Sequence, residues 1–216
     1  MNALLVGWGS EFGQALRDAL QKSYTVYTIG SDTQSNLCVD WKTVSQATLE
    51  KQLRRLPKMD LIIFNQNGTS LNHADFVTKN SISALWKLEK CWMQTHFTSC
   101  ILPYHIVNSL DINDTTVVFV LSSMLYNHEL ETHMFGLADY SANKYQNYVT
   151  MKSFSKWHGK GCFLGVTPVK LNSSNKKTVS EQLVNTLTNA ELVNGSVVYF
   201  DGTPDLNYRK FEKINE

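Results

Sequence analysis

Residues 3–13 read Ala3-Leu4-Leu5-Val6-Gly7-Trp8-Gly9-Ser10-Glu11-Phe12-Gly13: an apolar run, a glycine-rich turn, and the first residues of a segment in which Phe12, Ala15, Leu16, Ala19 and Leu20 recur with helical period. The stretch predicts a strand, a tight turn and a helix. Working outward from it, further strand-type runs follow at Tyr24–Ile29, Leu37–Val39, Asp60–Phe64, Thr116–Leu121, Cys162–Val166 and Ser196–Phe200. Most are separated by segments of helical period, for example Val44, Ala47, Leu49, Leu53 and Leu56. Runs such as Leu61-Ile62-Ile63-Phe64 and Val117-Val118-Phe119-Val120-Leu121 are apolar on both faces, as strands of a sheet covered on both sides are. Right-handed crossovers then give an α/β, doubly wound arrangement of about seven mostly parallel strands with helices on both faces.

With 216 residues, 43% of them hydrophobic and 18% charged, the chain has the length and balance of one globular domain, placed at 1–204, with 205–216 as a tail. A formal charge of +1 without a run of like charges points to neither nucleic acid nor membrane as partner. Cys38, Cys91, Cys100 and Cys162 show no C-x-x-C pair and no Cys/His ligand spacing, so neither disulfide nor metal is expected. The apolar run Ala3–Val6 is too short for a signal peptide, and no stretch reaches the ~20 apolar residues of a membrane span. A cytoplasmic location is the expectation.

In an open parallel sheet, ligands bind beyond the carboxyl ends of the strands, near the switch point. The turn after the first strand stands there. Gly7, Gly9 and Gly13 would allow the backbone amides of Ser10, Glu11 and Phe12 to approach a pyrophosphate at a helix N-terminus. The second strand ends Thr28-Ile29-Gly30-Ser31-Asp32. With Gly30 or Ser31 at the position that meets the ribose, a hydroxyl and no carboxylate favour NADP, the preferred reading; with Asp32 there, NAD follows. Asp40, after the third strand, is a candidate acceptor for the adenine amino group.

Tyr140-Ser141-Ala142-Asn143-Lys144 sets a phenol and an ammonium one helical turn apart, where the cation lowers the tyrosine pKa toward neutrality. That is the requirement for a general acid–base. A second such pair, Tyr148 and Lys152, lies two turns deeper, where packing is the expected role. Ser122 and Ser123 end the Thr116–Leu121 strand at the same sheet edge as Tyr140.

These features together resemble the short-chain dehydrogenase/reductases, a family with a Rossmann NAD(P)-binding fold, over nearly the whole chain. The matches are the Gly7–Gly13 turn, Asp40, Asn65-Gln66-Asn67-Gly68 in place of the family's Asn-Asn-Ala-Gly, Ser123 with Tyr140 and Lys144, and Asn194-Gly195-Ser196 before the last strand. The resemblance implies reduction of a small-molecule carbonyl, or oxidation of an alcohol, by hydride transfer. Tyr140 would donate the proton, Lys144 would hold the ribose and depress the tyrosine pKa, and Ser123 would bond the carbonyl oxygen. Asn65, Asn67, Gly68 and Pro168 would line the cofactor. It further implies a homodimer or homotetramer, in keeping with the apolar excess of Trp86, Trp92, Met93, Phe97, Ile101 and Tyr104 between Ser83 and Leu110.

The chain departs from the family at several places. Glu11 replaces a glycine and brings a carboxylate near the phosphates. The relay asparagine of the helix after the fourth strand is missing, and His96 falls nearest to its place. The substrate loop after Pro168-Val169 is short, a faint likeness to the dihydropteridine reductase branch. A catalytically weak or inactive nucleotide-binding sensor or scaffold of the same fold is the alternative function.

Overall fold

Eight strands, β1 (Asn2–Val6), β2 (Thr25–Gly30), β3 (Leu37–Cys38), β4 (Leu61–Phe64), β5 (Thr116–Val120), β6 (Cys162–Pro168), β7 (Val197–Phe200) and β8 (Arg209–Lys210), make one sheet in the order β3-β2-β1-β4-β5-β6-β7-β8. The computed structural model describes residues 1–40, 43–66, 93–122, 138–168, 171, 174–200 and 209–210. Among the described residues, strands β1 to β7 pair in parallel and β8 runs antiparallel, with Tyr199 opposite Arg209. The seven sequence-predicted strands are thus present, each within two residues of its expected ends. Arg209–Lys210, placed in the tail by the sequence, adds a short edge strand.

Helices α1 (Glu11–Leu20), α2 (Gln46–Leu53), α3 (Leu102–Ser109), α4 (Ala138–Trp157) and α5 (Lys176–Asn189) flank the sheet. Alternation along the strands divides the core. Leu4 and Val6 of β1, with Ile62 and Phe64 of β4, point into the layer under α2, α3 and α4 and meet Leu49, Ile106 and Met151. Ala3, Leu5, Leu61 and Ile63 point the other way and meet Phe12, Leu16, Val179 and Leu183 of α1 and α5.

A helix already running at 93–96 enters α3 through a π-helical turn, Phe97–Ile101. Leu102 N–H donates to Phe97, and the next residue, Pro103, has no N–H for the carbonyl of Ser99, so the regular ladder is interrupted at this place. The turn leaves Ser99 fully buried, facing α4.

Strand β1 lies between β2 and β4, so the chain's crossovers diverge on either side of it. This is the switch point, and the glycine turn sits above it. Among the described residues, no helix is long and apolar enough to cross a membrane.

Candidate active site

The glycines of the first turn answer to close approaches. Gly7 has φ +82°, and a β-carbon there would come within 3.0 Å of the backbones of Asn65 and Gln66. A β-carbon on Gly13 would lie 2.6 Å from the carbonyl oxygen of Trp8, so helix and turn can touch only through glycine. Ser10 caps α1, its hydroxyl accepting from Gly13 N–H at 3.0 Å. Asn65, at the end of β4, ties the turn to the sheet by donating to the Gly7 carbonyl (3.0 Å) and to Ser10 Oγ (3.3 Å). Trp8 is buried, its indole donating to Ser35 Oγ at 2.8 Å and its ring covered by the Arg17 guanidinium.

These ties hold open a cleft of about 220 Å³ above the switch point. Gly7, Gly9, Ser10, Ser31, Asp32 and Asn65 give its polar wall, and Val6, Ile29, Val39, Phe97 and Leu102 its apolar wall. An apolar slot with a few convergent polar groups is what a nucleotide requires. Asp32 is turned inward: Oδ1 accepts from Gln34 N–H at 2.9 Å, while Oδ2 lies 3.8 Å from where a β-carbon on Gly9 would be. The open side of Gly9 is the space a pyrophosphate would fill, so the residues present fit a dinucleotide.

Glu11, the first residue of α1, forms an ion pair with Lys176, the first residue of α5. The Lys176 ammonium beside it holds the Glu11 carboxyl below the ordinary carboxylate value. The Glu11 carboxylate is therefore matched by a cation from the start of α5.

Lys144 is 1% exposed, and its amine donates to the carbonyls of Val120 (2.8 Å), at the end of β5, and Gln66 (3.2 Å), after β4. Burial lowers its pKa from the usual 10.5 to about 7. Beside it, fully buried Asn143 donates to Ser99 of the π turn. Lys144 thus stands at the carboxyl edge of the sheet, bonded to a residue that lines the cleft.

Of the remaining sequence candidates, Tyr140 lies in the first turn of α4, one turn before Lys144, and its side chain lies outside the described residues, as do Ser123, Asn67 and Gly68. Ser122 is buried just beyond β5. Phe12 buries its side chain in the core, leaving its backbone for the turn. Asp40 is exposed and accepts from the Thr43 hydroxyl at 3.2 Å, so it closes a local turn. Pro168 ends β6, opposite Phe200. Lys152 donates to the Gly195 carbonyl and lies over the ring face of Tyr148. His96, the sequence candidate for a relay, bonds Gln146 on the outer side of the helices. Sequence reasoning did not single out Gln66, Gln94 or Thr98, all of which line the cleft. Gln66 carried a signal in its place beside Asn65; the other two depend on where the π turn lies.

No family model matches the chain, and no curated protein does. Solved structures match its fold over nearly the full length of both chains. A 3-oxoacyl-[acyl-carrier protein] reductase from Brucella melitensis superposes with a TM-score of 0.70 at 12% identity, covering 93% of this chain and 96% of its own. A short-chain dehydrogenase/reductase family oxidoreductase from Brucella ovis, in complex with a partially ordered NAD, gives 0.65 at 15% identity over 93% and 99%. A gluconate 5-dehydrogenase from Burkholderia cenocepacia, with NADP and tartrate, gives 0.65 at 10% over 93% and 94%. The chain has the fold of the short-chain dehydrogenases and reductases.

Proposed function

We propose that the protein is a nicotinamide-dependent oxidoreductase of the short-chain type, acting on a carbonyl or alcohol of a small molecule. The observation that carries the reading is the cleft itself: the glycine turn, Ser10 and Asp32 face one space above the switch point, and Lys144 is anchored to the carbonyl of Gln66 on its wall. The structures of like fold that hold NAD and NADP support it.

Ser10, Glu11 and Phe12 would present backbone N–H groups to the pyrophosphate at the start of α1. Asp32 would accept from the adenosine ribose hydroxyls and repel a 2′-phosphate. Asp32 facing Gly9 supports NAD, in place of the NADP that Ser31 favours from the sequence. Bound there, the nicotinamide supplies or accepts the hydride. Tyr140 would pass the proton to the substrate oxygen, Ser123 would bond that oxygen, and Lys144 would hold the ribose and lower the Tyr140 pKa. Only the protonated amine lowers the Tyr140 pKa by its charge, and burial brings the Lys144 pKa down to about 7, so that charge has to be kept by a nearby anion. The negative charge of a bound dinucleotide favours that protonation.

Met93, Ile101 and Tyr104 before and within α3, with Tyr145 and Val149 of α4, are exposed apolar residues on adjacent helices, which supports pairing of two copies through this face. The test of the activity is oxidation of NADH with a panel of aldehydes, ketones, quinones and dihydropterins. Tyr140→Phe is expected to abolish turnover while leaving NADH affinity within about threefold, and Tyr148→Phe to be nearly silent. Binding without turnover on every compound would favour the sensor or scaffold.

A further inference from the structure

The charge at the start of α5 runs against the helix dipole. Asn175-Lys176-Lys177 sets two ammonium groups there with no carboxylate in the first turn, although a helix N-terminus favours anions. Helix α1 carries the opposite sign: Glu11 is the acidic residue of its first turn and follows Ser10, which lines the cleft. The two meet across the parallel pair of helices, Lys176 Nζ donating to Glu11 Oε2. The lysine side chain is 23% exposed and the glutamate 76%. Lys176 is thus the more sheltered partner of the pair. A second bridge, Lys22 to Glu181 at 2.7 Å, joins the same helices away from the cleft.

Resting on the cofactor reading above, we propose that Lys176 is a positioning residue for the dinucleotide, neutralising Glu11 at the mouth of the glycine turn so that a doubly charged pyrophosphate can bind there. Without it, the Glu11 charge would stand uncompensated one residue beyond Ser10, on the side from which the pyrophosphate approaches. Such like-charge repulsion is felt at low salt and is screened at high salt. The bridge does for this chain what a glycine at position 11 would do by having no side chain.

The test is a fluorescence titration with NADH at low and high salt, with adenosine as a second probe that lacks the pyrophosphate. Lys176→Met is expected to weaken NADH about five- to tenfold at low salt, less at high salt, with adenosine affinity unchanged. Lys176→Arg keeps most of the affinity. The Glu11→Gln/Lys176→Met double variant, with nothing left to cancel, returns to within about threefold of wild type. Lys22→Met, which breaks the other bridge, leaves NADH binding alone, so a role confined to joining the helices is told apart. Unchanged NADH affinity in Lys176→Met, equal losses for NADH and adenosine, or a double variant as weak as Lys176→Met overturns the proposal while the cofactor reading stands. A wild type that binds neither NADH nor NADPH overturns both.

Discussion

The Asp32 carboxylate faces Gly9: its Oδ2 lies 3.8 Å from the position of a β-carbon there, with Oδ1 held by Gln34 N–H at 2.9 Å. On the proposed reading this carboxylate accepts from the ribose hydroxyls and repels a 2′-phosphate. Asp32→Ser is expected to lower the NADH-over-NADPH preference by about tenfold or more, a like-charge contact of order 1–3 kcal/mol being removed. Paired Kd values for the two cofactors check this; a wild type that prefers NADPH would contradict it. Gly30 is a poor place to add a carboxylate, since a β-carbon there meets Ser35 Oγ at 2.6 Å and the Trp8 indole nitrogen at 3.2 Å.

Two glycines of one turn should behave differently. Gly13→Ala drives a β-carbon into the Trp8 backbone at 2.6 Å, so it should destabilise the fold by about 1–3 kcal/mol and displace the turn. Gly9→Ala meets only Asp32 Oδ2 at 3.8 Å, so it should leave the thermal midpoint within a few degrees yet weaken NADH at least about tenfold by filling the open side of the turn. Equal thermal losses in the two variants would contradict this.

Burial of Lys144 makes stability depend on pH in a definite direction. Below about pH 7 the amine is protonated in both folded and unfolded chains, and the cost of burying the charge is fully present. Between about 7 and the ordinary lysine value of 10.5, the folded state sheds the proton that the unfolded state keeps. Stability therefore rises with pH there, by up to about 1.4 kcal/mol per unit from this group. Urea midpoints at pH 6, 8 and 9.5 should show wild type gaining on Lys144→Met as pH rises. Parallel profiles would show that the amine keeps its proton.

The positions of the strands along the chain and the place of the turn were legible because periodicity and glycine spacing are local: Val6-Gly7-Trp8-Gly9 names its own geometry. Asn65 was legible only through the resemblance, and its tie to Ser10, 55 positions away, comes from the parallel packing of β1 and β4. The aim of Asp32 was not legible, because the tight turn through Gln34 and Ser35 orients it, and spacing along the strand cannot fix that. Nor could the sequence pair Glu11 with Lys176, 165 positions apart, since only the parallel packing of α1 and α5 brings the helix starts together. Ser99 escaped notice for a third reason: the π turn before Pro103 changes which residues of that helix face α4.

Assembly gives a further expected outcome. If Met93, Ile101, Tyr104, Tyr145 and Val149 form one interface, wild type should sediment as a dimer or larger species at micromolar concentration. Tyr104→Glu with Tyr145→Glu, at sites 58% and 61% exposed in the single chain, should give a folded monomer. A monomeric wild type would sink this.

The binding of a dinucleotide above the switch point is tested most directly by titrating the purified protein with NADH and following the nicotinamide fluorescence. Saturable binding at one site per chain is predicted, displaced by NAD and weakened by Gly9→Ala. A folded protein that shows no saturable change with NADH or with NADPH at millimolar concentration would contradict it.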